Sequence, residues 1–249
     1  IYMNNLSDDT VTASNWADAG NWVSAPGAGG PGQQVRFDDK ITSAAAVSVA
    51  SPVTVGAVYF NNTNAYTLSG AAALTLDNGA GTQAVVSVES GTHTVSAPVA
   101  IGSDGATVNA PLNAGLTLAG PLLGAGALTK VGAGDLTVTQ TNSRSGKTEM
   151  KSGVLILQGG GTPGAGELVM AGSPGVRVTG SGAQVTGPVT IKNAMQANAL
   201  DGDLTLSGLL DWQSTASTVR KVGTNQMVLA GTGSAAGTPT LNVREGGLR

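Results

Sequence analysis

Apolar residues recur two apart along most of this chain, with a polar residue between them. In Leu74-Thr-Leu76, Leu116-Thr-Leu118, Leu136-Thr-Val138 and Leu204-Thr-Leu206 the apolar pair brackets a threonine, the spacing that sends alternate side chains of a β-strand into a core and into water. Short β-branched or apolar runs at 47–49, 53–55, 66–68, 85–88 and 154–157 fit the same template. Gly, Asn, Asp and Pro punctuate these runs, so each predicts a strand of three to five residues that ends in a tight corner. Helical spacing is confined to residues 193–200, a stretch short enough to read as a turn. The pattern is all-β, and strands this short build a sandwich, a barrel or a solenoid.

Internal repetition separates these architectures. Residues 128–138, LTKVGAGDLTV, return at 219–229 as VRKVGTNQMVL, matching Lys130 with Lys221, Val131 with Val222, Gly132 with Gly223, Leu136 with Met227 and Val138 with Leu229. After a Gly/Ser-rich loop, 148–155 (TEMKSGVL) finds its counterpart at 241–248 (LNVREGGL), with Met150 on Val243, Lys151 on Arg244, Gly153 on Gly246 and Leu155 on Leu248. A recurring strand, corner, strand unit with loops of variable length is the signature of a coiled solenoid, in which each turn buries its inward residues against the next. Alternation within the clearest copy assigns Leu128, Val131, Leu136, Val138, Val154 and Ile156 to the interior.

These residues also carry a resemblance. Segment 124–138, GAGALTKVGAGDLTV, followed by 145–159, SGKTEMKSGVLILQG, resembles the autotransporter-associated β-strand repeat of secreted bacterial passenger domains and other β-helical surface proteins. The opening, NWADAGNW at 15–22, then a Gly/Pro loop and QQVRF at 33–37, is similar to the start of such domains. The resemblance implies a right-handed, single-stranded parallel β-helix, secretion and no catalysis. It divides the chain into a capping segment at 1–40 and rungs over 41–249, with repeats at 124–159 and 219–249. No alternating segments of about ten residues follow the repeats, so no membrane-barrel translocator is expected in this chain.

Composition narrows the function classes. Charged residues make up 11% of the 249, less than half of the roughly 25% usual for soluble domains, so the polar surface must come from Thr, Ser, Asn and Gln. With a net charge of −3, 12 Lys and Arg spread thinly, and only three Trp, three Tyr and two Phe, the chain lacks the basic stripe and stacking rings of a nucleic-acid binder. The absence of cysteine excludes disulfides and thiolate metal sites. No apolar run approaches the length of a membrane helix, and residues 1–10 do not read as a leader, so export implies one already removed.

Candidate chemistry is sparse. His93, the one histidine, sits between two threonines and reads as a solvated strand residue. No Gly-x-Ser-x-Gly elbow surrounds a serine, and the Ser-Gly-Lys-Thr run at 145–148 lacks the glycine a phosphate loop requires at the position of Thr141. Asp8 with Asp9 and Asp38 with Asp39 are adjacent and would point to opposite faces of a strand. Asp201 and Asp203 bracket Gly202 and read as a corner. Neither calcium-loop spacing is present, and no catalytic residue, cofactor or metal ligand is assigned. Trp16 and Trp22 are expected to cover the open end of the hydrophobic stack, and Trp212 to lie in the core or at its rim.

The expected function is therefore that of a non-enzymatic extracellular or cell-surface structural protein that self-assembles end to end. An adhesin or passenger fragment of a longer surface protein, and a polysaccharide-binding or polysaccharide-cleaving β-helix, are the alternatives. The expected partner is a second copy stacked head to tail, or a surface glycan. In the stacked arrangement Ile1, Tyr2, Met3 and Leu6 meet Leu241, Val243 and Leu248 of the last rung, and a proline at Asn242 is expected to remove an edge donor.

Overall fold

The computed structural model describes residues 13–18, 21–22, 29–39, 41–214, 217–235 and 239–249. Among them there is no α-helix, and 29 short strands coil into a parallel β-solenoid of ten turns. Eight of the ten turns contribute one strand to each of three sides. The first turn does so with Gln34–Phe37, Ala45–Ser48 and Val53–Val55. Strands on one side pair in parallel with those of the turns before and after. Ten turns at the ~4.8 Å spacing of paired strands make a rod about 45 to 50 Å long.

Side one is a ten-stranded sheet running from Gln34–Phe37 to Gly233–Ala235. Side two has eleven strands, because Ala13–Asn15 pairs ahead of Ala45–Ser48. Side three is split into two four-stranded sheets, one ending at Leu122–Leu123 and the other beginning at Ala183–Val185.

The core is a set of columns running up the rod. Val35, Val58, Val86 and Val108 lead on side one to Met150, Met170 and Ile191, and Leu116, Leu136, Leu155 and Val176 stack on side two. The expected alternation holds for Leu128, Leu136 and Val138, all buried. It fails for three of the six residues assigned to the interior. Val154 and Ile156 are half-exposed, whereas Leu155 and Leu157 are buried beneath them. Four apolar residues in a row allow either register, and the pairing of Leu155 with Leu136 and Leu157 with Val138 decides it.

The third exception is more informative. Val131 faces outward and Lys130 occupies the core column between Val108 and Met150, with 0% of its surface exposed. Its stem packs inside while its ammonium folds to the corner and donates to the carbonyls of Val131 and Gly132 at 2.6 and 2.8 Å. Lys221 does the same at the carbonyls of Val222 and Gly223, at 2.8 and 2.7 Å, and reaches Glu245 O in the next turn at 3.1 Å. The corner needs the glycines as well as the lysines. Gly132 and Gly223 have φ of 79° and 85°, and a Cβ would come within 2.2 Å of Ala110 O and 2.5 Å of Ala199 O respectively.

The two copies of this motif lie on different sides. The first runs from side one (Leu128–Val131) to side two (Asp135–Val138), and the second from side two (Thr218–Val222) to side three (Gln226–Leu229). They are thus four turns and one side apart. A corner motif that works at either vertex carries its own hydrogen bonds, and the turn below matches too, with Asn109-Ala110 under the first corner and Asn198-Ala199 under the second.

Turns five and six have no strand on side three. Side chains replace the missing ladder. The Asn142 amide accepts the Leu122 N–H at 2.8 Å and donates to Thr162 O at 2.7 Å, while the Asn142 N–H donates to Thr162 Oγ1 at 2.9 Å. Beside them the buried Arg144 guanidinium donates to Pro163 O, Gly126 O, Lys147 O and Thr148 Oγ1 at 2.7–3.1 Å. Burial pushes its pKa down to about 10, which keeps it charged at neutral pH.

Candidate functional site

The strands Gly233–Ala235, Thr240–Val243 and Gly247–Leu248 of the tenth turn are each the edge of their sheet. Leu241 pairs with Val219, Val243 with Lys221 and Leu248 with Met227, so all three stand in inward columns. Elsewhere such residues are buried. Here Leu241 is partly covered, and Val243 and Leu248 are 41% and 44% exposed. Three residues proposed from sequence for an interface are thereby brought to one end of the rod. Ile1, Tyr2, Met3 and Leu6 lie outside the described residues.

The ladder corrects the expectation for Asn242. Thr240 N–H donates to Ser217 O and Arg244 N–H to Lys221 O, and in a parallel ladder alternate residues face the same neighbour. The Asn242 N–H therefore points back toward the ninth turn. The edge-facing N–H groups belong to Leu241 and Val243.

At the opposite end Trp16 and Trp22 are buried over Phe37, with ring centroids 5.2 Å apart and 5.9 and 5.7 Å from Phe37. The Trp22 indole donates to Trp16 O at 2.8 Å. The tryptophans cover the stack, as expected, and offer no exposed ring platform. Trp212 is partly buried against the core.

His93 overturns its sequence reading. It is fully buried, stacked on Phe60 with centroids 4.7 Å apart and lying 5.9 Å from Tyr66. Nδ1 accepts the Tyr66 N–H at 3.0 Å, which places the ring proton on Nε2, donating to Ser90 O at 2.8 Å. Burial pushes the imidazole pKa down, with the Ser90 carbonyl pulling the other way. Both nitrogens are engaged by backbone, so the imidazole is a structural part of the aromatic stack.

The acidic pairs behave as corners and ion pairs. Asp201 accepts from Gly180 N at 3.4 Å and Asp203 from Gln226 N at 2.8 Å, reaching opposite ways along the rod. Asp38 accepts from Arg36, which also contacts Glu89 at 3.0 Å and lies over the Tyr59 ring at 4.8 Å. Asp8 and Asp9 lie outside the described residues. In the Ser-Gly-Lys-Thr run, Thr148 accepts from Arg144 and Lys147 contacts Glu149 at 3.4 Å. Among the described residues no group of three His, Cys, Asp or Glu could hold a metal ion.

Sequence reasoning missed a groove on side two. A cleft of about 310 Å³ lies between the sheet surface at Thr92, Gly115 and Asp135 and a protruding corner at Leu112 and Asn113. Leu112 is 71% exposed. Asn113, at φ 68°, is the only described non-glycine residue in the left-handed region, and it turns the corner outward. Beside the groove Thr67, Thr94, Thr117 and Thr137 stand in register on four consecutive turns. The threonines between the apolar pairs were visible in sequence, but their alignment depends on strand register. In comparison with known proteins, no family model, no curated sequence and no solved structure matches this chain.

Proposed function

We propose that the chain is a non-enzymatic extracellular structural rod that lengthens by stacking strands on its tenth turn. The observation that carries this reading is the exposure of Val243 and Leu248 in columns whose other members are buried. An edge strand with accessible N–H groups and apolar inward side chains is a template for another strand. The strand it takes comes from a second copy or from further turns of the same polypeptide, and a heterologous contact that does not close gives an open filament. Support for the extracellular setting comes from the repeat resemblance at 124–159 and from a polar surface built on threonine, serine and asparagine. Support for a non-catalytic role comes from His93, Asp201, Asp203 and Lys130, whose polar atoms are engaged by backbone.

The test is sedimentation velocity and electron microscopy over a range of concentrations, comparing wild type with Val243→Pro. Proline removes an edge-facing donor while leaving the ladder to Thr218–Val222 in place. Rods that lengthen with concentration in wild type and stay single in the variant support stacking between copies. Wild-type rods that stay single at every concentration refute it.

A further inference from the structure

We propose that the groove on side two binds a neutral, linear glycan lying along the axis of the rod. Its floor is the strand Gly115–Leu118, flanked by Thr92 one turn before and Asp135 one turn after. Gly115 opens that floor. A Cβ there would stand at ordinary contact distance from Thr92 Cγ2, Asp135 O and Thr92 Oγ1, at 3.5, 3.6 and 3.7 Å, so the glycine relieves no clash and its missing side chain lowers the floor between its neighbours. Leu112, Ala114 and Ala133 supply apolar walls, and Thr92, Asn113, Thr117 and Thr137 supply polar groups that both donate and accept.

This pairing of apolar wall and convergent polar groups suits a ligand whose rings expose C–H faces and whose rims carry hydroxyls. A peptide strand fits less well. The ladder N–H and C=O groups of the side-two strands are already paired with the turns before and after, so the groove offers no free edge to which a strand could add. The threonine column offers one hydroxyl per turn, about every 4.8 Å, a repeat that an extended polysaccharide, with one sugar per comparable advance, can follow. Neutrality follows from the charges present. Asp135 is the one ionisable residue in the lining and would repel an acidic sugar, while its partner Arg177, 4.0 Å away, partly offsets its pull on a cationic one. Beyond Thr137 the column continues as Ile156 and then Arg177, so the hydroxyl track ends there.

The experiment is isothermal titration of the purified chain with cellohexaose, xylohexaose and laminarihexaose, with their shorter oligomers, and with an oligogalacturonate. At least one neutral hexasaccharide is expected to saturate, with affinity rising with chain length and the oligogalacturonate failing to compete. Gly115→Val fills the floor with a residue suited to a strand and is expected to weaken binding about tenfold or more. Thr117→Val combined with Thr137→Val is expected to do the same, and Thr75→Val on side three to change nothing. Circular dichroism establishes that each variant is folded. No saturable binding of any neutral hexasaccharide, tighter binding of the oligogalacturonate, or binding unaltered in both groove variants would overturn the proposal. The groove lies away from the tenth turn, so these results are independent of whether the rods stack.

Discussion

Lys130 and Lys221 make the same bonds at two different vertices of the solenoid. Each ammonium caps the carbonyls of the two residues that follow it, within 2.6–2.8 Å. Each stem fills a core column that neighbouring turns fill with Val108 and Met150 in one case and Ala197 and Val243 in the other. The motif Lys-Val-Gly is thus a corner clip. The lysine closes what the left-handed glycine exposes.

Replacing Lys130 by Met keeps the stem and removes the clip. The carbonyls of Val131 and Gly132 each lose one donor but keep another, the Ala110 N–H at 3.2 Å and the Ser152 hydroxyl at 3.0 Å, so the expected cost is about 1–2 kcal/mol, that of a lost hydrogen bond rather than of an unsatisfied group. Burial pushes the Lys130 pKa down to about 8, from the 10.5 of a free lysine. Between those values the unfolded chain binds more protons than the folded one, so wild-type stability rises with pH through the window and is lost as pH falls through 8. The difference in urea midpoint between wild type and Lys130→Met is expected to widen from pH 8 to 10.5. A constant difference would show that the ammonium is not buried.

His93 gives the opposite end of the rod an acid sensitivity. Its folded pKa lies below the ordinary 6.5, so its contribution to stability is complete above about pH 6.5 and declines as pH falls toward the lower folded value. Protonation removes the lone pair that accepts the Tyr66 N–H. Wild type is expected to lose stability over this range faster than His93→Leu, measured by urea unfolding with Trp fluorescence, since Trp16 and Trp22 belong to the same stack. Parallel pH profiles would contradict the neutral tautomer.

Register is tested by neighbouring residues of one strand. Leu155→Asp places a carboxylate among Leu136, Leu157 and Val176 and is expected to cost several kcal/mol, enough to unfold local turns. Ile156→Thr, one residue on, changes an outward position and is expected to stay within about 0.5 kcal/mol. Equal thermal midpoints for the two variants would refute the assigned pairing.

Asn142 links the last strand of the first side-three sheet, in turn four, to turns five and six, which have no strand there. Asn142→Ala leaves the buried Leu122 N–H without its acceptor and is expected to cost about 1–3 kcal/mol, with the lost protection in hydrogen exchange centred on Leu122. Unchanged exchange at Leu122 would mean the side chain is not carrying that bond.

The sequence was legible wherever alternation was unambiguous. Leu74, Leu116, Leu136 and Leu204 stand where their spacing put them, and the repeat matched Met150 with Val243 and Leu155 with Leu248, which occupy equivalent places above the two clips. Legibility failed where a side chain's two ends have different preferences. Lys130 and His93 are polar by composition yet inward by geometry, because backbone carbonyls and amides satisfy their polar atoms inside the coil. Residues 154–157 failed for lack of a polar marker. The split in side three was invisible because Asn142 and Thr162 imitate a ladder with side chains, and the groove because it depends on which threonines come into register.

The edge at Thr240–Val243 is read most directly by hydrogen–deuterium exchange at low and high protein concentration. If a second copy stacks on the tenth turn, the amides of Leu241 and Val243 should gain protection as concentration rises, while that of Thr240, bonded to Ser217 O, and that of Asn242, directed by the ladder toward the ninth turn, change little. Fast exchange at Leu241 and Val243 that is independent of concentration would contradict stacking between copies.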